Sequence, residues 1–273
     1  MNNLFKRTLT GILIVAVLVG GIAWSPVSFF ILFLILTLAS VNEFYSLSKK
    51  ISSQPLTILG LILSGYLFTA IHTIKRGWID PKYILGVIPL IFLIFITELY
   101  RKQESPFKNI AYTLLGVVYI ALPFSLFNCF VFPDDLSNAT YSPHILIGLF
   151  VFLWTNDTGA YLIGTRFGKH RLFERISPKK SWEGFIGGAF FSTFAAVIIS
   201  LYYSEFSLFH LVVINLIAIT AGTFGDLCES MFKRKIGEKD SGNFFPGHGG
   251  FLDRFDSILM AVPMVYFYIQ MIK

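Results

Sequence analysis

The sequence has little charge and almost no cysteine. Only 14% of its 273 residues are charged, against 55% that are hydrophobic, and the mean hydropathy is +0.68. Cys129 and Cys228 are the two cysteines, and they provide neither a disulfide framework nor the Cys/His spacing of a zinc site. A large soluble core is disfavoured, because so few polar residues would not cover its surface. These shortages indicate a protein that faces lipid.

Several common catalytic and binding patterns are also missing from the sequence. It contains no Gly-x-Ser-x-Gly elbow of a serine hydrolase and no Walker phosphate-binding loop. Its basic residues do not alternate with aromatic residues as they do in nucleic-acid-binding folds, so we expect no nucleic-acid partner. Whatever chemistry the chain carries must therefore come from residues outside these motifs.

The chain consists mainly of apolar runs separated by short polar connections. A membrane-spanning helix requires about 20 mostly apolar residues, and the runs are near that length. We therefore predict an all-α, polytopic integral membrane protein with about nine transmembrane helices. The predicted spans are residues 8–25, 27–43, 55–73, 83–99, 109–132, 144–164, 184–203, 208–225 and 251–271.

The basic residues predict the orientation of these spans. Lys6 and Arg7 precede the first apolar run, which we interpret as a retained signal-anchor with a cytoplasmic N-terminus. If the spans then alternate, the cytoplasmic side receives all of the 22 Lys and Arg residues except Lys75, Arg76, Lys82 and Lys273. The formal net charge of +6 is then concentrated near one leaflet, where it suits anionic headgroups and nucleotides.

The two halves of the chain differ in content. Residues 1–143 are predicted to form a scaffold of apolar helices with a few charges at the membrane edge, such as Glu43 and Glu98. Residues 144–273 are predicted to form the helices that carry a catalytic site facing the cytoplasm. Chemistry-bearing residues are concentrated in this second half.

A basic loop at residues 166–182 follows the sixth predicted span, and Asp157 lies near the cytoplasmic end of that span. Pro178 fixes the backbone just before Lys179 and Lys180, and this order is more particular than a positively charged loop requires. We interpret the two lysines as ligands of an anionic substrate, with an ordinary cytoplasmic loop as the alternative. Ser181 is predicted to be the N-cap of the next helix.

The eighth predicted span ends with three polar residues on one helical face. Asp226, Ser230 and Lys233 are spaced i, i+4 and i+7. An acid, a hydroxyl and an amine in a row could follow a polyphosphate and its metal ion. The alternative is a solvated helix end, which favours lysines through the helix dipole but does not explain Asp226.

A glycine-rich turn precedes the ninth predicted span. His248, Gly249 and Gly250 lie in this turn, and Asp253 and Asp256 follow on one face of the next helix. Two carboxylates so close to a bilayer repel each other unless a cation lies between them, and hard oxygen ligands select Mg²⁺. The glycines allow backbone N–H groups to approach a ligand at the helix N-terminus.

Together these residues resemble the signature of the phosphatidate cytidylyltransferase (CDP-diacylglycerol synthase) family. The similar stretch is Ser230-x-x-Lys233-Arg234-x4-Lys239-Asp240-x5-Pro246-x-His248-Gly249-Gly250-x-x-Asp253-Arg254-x-Asp256. Segments 157–161 and 177–184 are also similar to the family, so the resemblance covers about residues 150–257 specifically. The first half of the chain resembles the family only in its apolar helices.

The resemblance implies that CTP and phosphatidate react, with Mg²⁺, to give CDP-diacylglycerol and pyrophosphate. It implies a polytopic membrane protein that forms a homodimer, and a second cation, monovalent or divalent, is left open. From the resemblance together with the distribution of basic residues, we expect the bacterial inner membrane with the active site facing the cytoplasm. The implied metal ligands are Asp226, Asp253 and Asp256. The candidate catalytic residues are Ser230, Lys233, Asp240 and His248. The candidate substrate-binding residues are Asp157, Ser177, Lys179, Lys180, Arg234, Lys239, Gly249 and Gly250.

Two other functions are compatible with parts of the pattern. A CTP-dependent membrane kinase acting on polyprenol or phytol would transfer the γ-phosphoryl group and release CDP instead of pyrophosphate. An ion or lipid transporter would also contain acidic residues in its membrane helices. The predicted charges, however, are concentrated at one face and not at the membrane midplane, which favours the enzyme.

Overall fold

The computed structural model describes residues 3–133, 140–203, 205–245, 247 and 249–273, and these are mostly helical. A short 3₁₀ segment (Pro81–Gly86) leads into the fourth α-helix, and a π-helical turn (Val117–Ala121) separates the fifth from the sixth. The α-helices are α1 (Asn3–Trp24), α2 (Pro26–Lys49), α3 (Thr57–Lys75), α4 (Val87–Arg101), α5 (Pro106–Gly116), α6 (Leu122–Val131), α7 (His144–Phe167), α8 (Trp182–Ser200), α9 (Leu208–Lys235) and α10 (Leu252–Ile272).

The helices confirm a polytopic membrane protein. Among the described residues, eight helical segments are long and apolar enough to cross a membrane. They are Pro26–Lys49, Thr57–Lys75, Pro81–Arg101, Pro106–Val131, His144–Phe167, Trp182–Ser200, Leu208–Lys235 and Leu252–Ile272. A shorter apolar helix, Thr8–Trp24, corresponds to the first predicted span. The total of nine spans and the side of the N-terminus stay predictions.

The chain divides into two compact units. The first unit comprises Met1–Pro143 and Asp240–Arg254, and the second unit comprises His144–Lys239 and Phe255–Lys273. One boundary between the units lies near residue 143, and the predicted roles of the two halves as scaffold and catalytic part stay predictions. The glycine-rich turn, however, belongs to the first unit, although the sequence assigned it to the second half.

Close packing in the first unit is organised around Tyr45. Its side chain is fully buried, and its hydroxyl donates a hydrogen bond to the Thr113 carbonyl oxygen at 2.7 Å. Gly60 and Gly116 lie against the tyrosine ring, and a Cβ at Gly60 would lie 2.7 Å from Tyr45 Cζ. The absence of side chains at these glycines lets α2, α3 and α5 approach one another.

Glu98 is buried in the first unit. Only 3% of the residue is exposed, whereas the sequence suggested a charge at the membrane edge. Its carboxylate accepts hydrogen bonds from Arg101 at 2.8 Å and from the Asn109 side chain at 2.6 Å. Asn109 in turn accepts the backbone N–H of Gln54 at 2.6 Å. Glu98 therefore anchors the connection between α2 and α3.

Glycines also bring α7 and α8 together in the second unit. A Cβ at Gly159 would lie 3.1 Å from the Gly188 Cα atom, and one at Gly184 would lie 3.2 Å from the Gly164 Cα atom. Such backbone-to-backbone contact is typical of membrane helices, which associate through small residues. This contact fixes the segment that joins the two helices.

That joining segment is a β-hairpin, where the sequence predicted only a basic loop. Strand β1 (Arg171–Phe173) pairs antiparallel with strand β2 (Ser177–Ser181), and Arg171 lies opposite Ser181. Ser181 is the N-cap of α8, as predicted, and its hydroxyl accepts the Gly184 N–H at 3.1 Å. The hairpin consequently holds Lys179 and Lys180 in defined positions just before α8.

Candidate active site

The second unit contains a cavity of about 580 Å³ beside the hairpin. It is lined by residues of α7, the hairpin, α8 and α9. The polar and charged residues among them are Asn156, Asp157, Tyr161, Thr165, Arg171, Lys179, Lys180, Ser181, Thr223 and Asp226. The structure thus brings together four of the predicted site residues: Asp157, Lys179, Lys180 and Asp226.

An ion pair joins two walls of this cavity. Lys180 Nζ on β2 lies 2.5 Å from Asp226 Oδ2 on α9, and about a third of each side chain is exposed (29% and 31%). The other oxygen of Asp226 accepts a hydrogen bond from Ser230 at 3.1 Å. The predicted helical face of Asp226 and Ser230 is therefore real. Because both charges remain accessible to solvent, an anion could bind Lys180 and a cation could bind Asp226.

Asp256, in α10, lies close to the carboxylate of Asp226. The Gly225 backbone in α9 approaches the Asp256 carbonyl oxygen in α10, so that a Cβ at Gly225 would lie 2.5 Å away. The half-buried Asp256 side chain lies beside Glu229 and interacts electrostatically with Asp226 and Asp157. Four carboxylates are therefore gathered in this part of the second unit.

Lys233 points into the protein, where it pairs with Glu229. The two charged groups are 3.2 Å apart, and the residues are only 8% and 1% exposed. Lys233 was predicted to face a phosphate along with Ser230. Its burial shows a different immediate role, since its ammonium group compensates a carboxylate that would otherwise be costly to bury.

Asn156 is a cavity residue that the sequence did not single out. It is 5% exposed, and its Oδ1 atom has no hydrogen-bond partner among the described residues. A buried amide oxygen without a partner is unfavourable unless a ligand or water satisfies it. Its position beside Asp157 was the signal available in the sequence.

Asp253 is held by the glycine-rich turn of the first unit. One carboxylate oxygen, Oδ2, accepts the Ser241 N–H at 2.7 Å, the Ser241 hydroxyl at 2.8 Å and the Gly250 N–H at 2.8 Å. These bonds fix the carboxylate, as a predicted ligand would require. Its role as a ligand stays a prediction.

Gly249 and Gly250 make this arrangement possible. Gly249 has a φ of +78°, which L-residues with side chains rarely adopt, and a Cβ there would collide with Asp253 Oδ2. A Cβ at Gly250 would collide with the carboxylate of Glu43. The glycines were predicted to approach a substrate, but in the structure they make room for two carboxylates of the protein.

Several predicted residues do not line the cavity of the second unit. Ser177, Arg234 and Lys239 are not among the residues that line it. Arg234 and Lys239 are exposed, and Arg234 Nη1 donates to the Glu238 carbonyl oxygen at 3.3 Å. Asp240 is exposed at the start of the turn in the first unit. His248 falls outside the described residues.

The acidic group of the second unit has the donor chemistry of a metal site. Within the described ranges, no group of three His, Cys, Asp or Glu side chains is already arranged to hold a metal ion. Nevertheless, the carboxylates of Asp157, Asp226, Glu229 and Asp256 provide the oxygen donors that a hard divalent cation prefers.

Comparisons with known proteins identify the family. The profile of the Cytidylyltransferase family matches residues 5–272. The chain belongs to this family. A phosphatidate cytidylyltransferase of Staphylococcus aureus (strain COL) is 33% identical over 263 residues, which cover 95% of this chain and 96% of the relative. The enzymes of the same name from Staphylococcus haemolyticus and Staphylococcus saprophyticus are 30% and 31% identical, with the same coverage.

Family membership confirms the resemblance on which the site was predicted. The match extends over the apolar first half, well beyond the signature of residues 150–257. The chain is therefore an enzyme of the nucleotidyltransferase class, and the transporter alternative is no longer needed. Asn156 and Glu229, which the sequence analysis did not single out, join the candidate site of the second unit. Glu43 and Ser241, which it also missed, belong to the glycine-rich turn of the first unit.

Proposed function

We propose that this chain transfers the cytidylyl group of CTP to phosphatidate and releases pyrophosphate. The observation that carries the proposal is the cavity of the second unit, where Lys180 and Asp226 face each other. Cations and carboxylates in one cavity suit a substrate that combines a polyphosphate with a metal ion. The names of the staphylococcal relatives provide the lipid substrate.

The chemistry needs positioning more than it needs a strong base. A phosphate monoester is already nucleophilic near neutral pH, so an oxygen of phosphatidate can attack the α-phosphorus of CTP directly. One P–O bond forms, and the bond from the α-phosphorus to the bridging oxygen breaks, so that the electron pair leaves with pyrophosphate. Catalysis of such a transfer depends on alignment and on charge stabilisation.

The described residues are suited to aligning the substrates and to stabilising their charge. Arg171, Lys179 and Lys180 line the cavity and would bind the phosphates of CTP. Asn156 would satisfy its buried amide oxygen by accepting a hydrogen bond from the ligand. Ser230 holds Asp226 in place through its hydroxyl.

We also propose that Mg²⁺ is the cofactor. Asp226 and Asp256 would hold the ion in the second unit, and it would neutralise charge on the phosphates of CTP. Asp253, three residues before Asp256 in α10, stays a predicted ligand on the strength of its spacing. Ser230 and Asp157 would act through the carboxylates beside them.

The proposal is tested with purified protein in lipid nanodiscs that contain either phosphatidate or phosphatidylglycerol. Pyrophosphate release is followed after addition of CTP and Mg²⁺. We expect release only with phosphatidate, and in equal amount to the CDP-diacylglycerol formed. Release at the same rate from discs of phosphatidylglycerol would contradict the proposed acceptor.

We further propose the bacterial inner membrane as the location, with the site facing the cytoplasm. The distribution of Lys and Arg residues supports this orientation. Labelling of single cysteines placed in the hairpin, with a reagent that does not cross membranes, tests it in intact cells. The homodimer stays a prediction that light scattering of the purified protein can test.

A further inference from the structure

A carboxylate from the first half of the chain lies at the centre of the glycine-rich turn. Glu43 belongs to α2, about 200 residues before the turn in sequence, and both belong to the first unit. Glu43 Oε2 accepts the Phe251 N–H at 3.0 Å, and Oε1 accepts the Leu252 N–H at 3.0 Å. The Ser241 hydroxyl is within hydrogen-bond distance of Glu43 Oε1 as well as of Asp253 Oδ2, and it can donate its one proton to either oxygen.

These bonds cap helix α10 from outside its own sequence. α10 begins at Leu252, and the first N–H groups of a helix have no partner within the helix. The helix dipole also favours an anion at this end. Glu43 accepts the Leu252 N–H and also the N–H of Phe251, the residue just before the helix. Ser241 Oγ accepts the next N–H of the helix, that of Asp253, at 3.3 Å.

The turn is shaped around the Glu43 carboxylate. A Cβ at Gly242 would lie 2.8 Å from Glu43 Oε2, and a Cβ at Gly250 would collide with both of its oxygens. Ser241 Oγ is in contact with Glu43 and with Asp253 Oδ2, so one hydroxyl links the two carboxylates. The position of Asp253 therefore depends on a residue that does not belong to the signature.

We propose that Glu43 is a positioning residue of the cytidylyl-transfer reaction, which orders the glycine-rich turn and the start of α10. It acts through Ser241 and the backbone and touches no reacting atom. The inference rests on the proposed function for its kinetic consequence. Its structural part, the ordering of the turn, can be measured without any substrate.

The sharpest variant is Glu43→Gln. Glutamine has the same shape, but its NH₂ group cannot accept a bond from Phe251 or Leu252 N–H. We expect kcat per folded enzyme to fall by about tenfold or more, because bonds between N–H groups and a charged carboxylate are strong. Hydrogen–deuterium exchange should accelerate at residues 249–253 and remain unchanged at residues 260–270.

Matched variants separate positioning from mere stability. Glu104→Gln removes an exposed carboxylate of the same unit and should leave both kcat and exchange unchanged. Ser241→Ala should reproduce the Glu43→Gln effects, and the double variant should lose no more than the stronger single variant, because both act through one network. A purely structural role predicts a lower Tm with unchanged kcat per folded molecule.

Two results would overturn the inference. One is Glu43→Gln enzyme with wild-type kcat per folded molecule, whatever its Tm or its exchange at residues 249–253. The other is Ser241→Ala enzyme with wild-type kcat per folded molecule, which decides the matter if Glu43→Gln does not fold. Failure of the proposed function is a separate result, because wild-type protein would then release no pyrophosphate whatever the variants do. The exchange measurement would still report whether Glu43 orders the turn.

Discussion

The glycine-rich turn of the first unit and the cavity of the second unit are built in opposite ways. In the turn, Asp253 and Glu43 are held mainly by backbone N–H groups and by one shared hydroxyl. In the cavity, Lys180 and Asp226 meet as partly exposed side chains. Backbone donors hold a carboxylate in one place, whereas exposed charged side chains can exchange partners. The turn is suited to positioning and the cavity to binding.

Substitution of Asp256 is the most severe test of the metal site proposed in the second unit. Asp256→Asn removes one charge from the acidic group while keeping the shape of the side chain. We expect CDP-diacylglycerol formation to fall by roughly a thousandfold or more, because the proposed Mg²⁺ would lose a charged ligand. Product is measured with radiolabelled CTP, and size-exclusion chromatography checks folding. Near wild-type turnover in folded protein would remove Asp256 from the metal site.

Lys180→Ala tests whether the cavity binds an anion. Its ammonium group is the partner of Asp226 in the structure, and in the proposal it binds a phosphate. We expect kcat/KM for CTP to fall about 10- to 100-fold, as is typical for the loss of a charge-assisted contact. Arg175→Ala is the control, because Arg175 is exposed on the same hairpin but does not line the cavity. Wild-type kcat/KM for Lys180→Ala, as for Arg175→Ala, would show that the hairpin is an ordinary basic loop that does not bind CTP.

The turn should respond to added volume as well as to loss of the Glu43 charge. Gly250→Ala would place a methyl group against the Glu43 carboxylate, so we expect a loss of about 1–3 kcal/mol in stability and a lower Tm. Gly20→Ala is the control in the same unit, since nothing lies within 4 Å of a Cβ there. An unchanged Tm and kcat for Gly250→Ala would show that the turn is not shaped around Glu43.

Local patterns in the sequence predicted much of the fold. Apolar runs located the helices, and Ser181 was recognised as an N-cap because its position just before an apolar run is a local signal. The helical face of Asp226 and Ser230 followed from their spacing. These features depend on residues a few positions apart.

Features that depend on distant contacts could not be predicted in this way. Glu43 was interpreted as a membrane-edge charge, because nothing near it in sequence indicates the turn that it holds. Lys233 was placed beside a substrate, because its pairing with Glu229 leaves no signal other than i, i+4 spacing. The β-hairpin was missed since Pro178 and the neighbouring lysines have low β propensity.

The proposed cytidylyl transfer is tested most directly by the fate of two labels. Purified protein in phosphatidate nanodiscs is given either α-³²P-CTP or γ-³²P-CTP, and the lipid and aqueous fractions are counted. The account predicts that the α label enters the lipid as CDP-diacylglycerol and that the γ label is released as pyrophosphate. Transfer of the γ label to the lipid, with the α label left in soluble CDP, would show a kinase and contradict it.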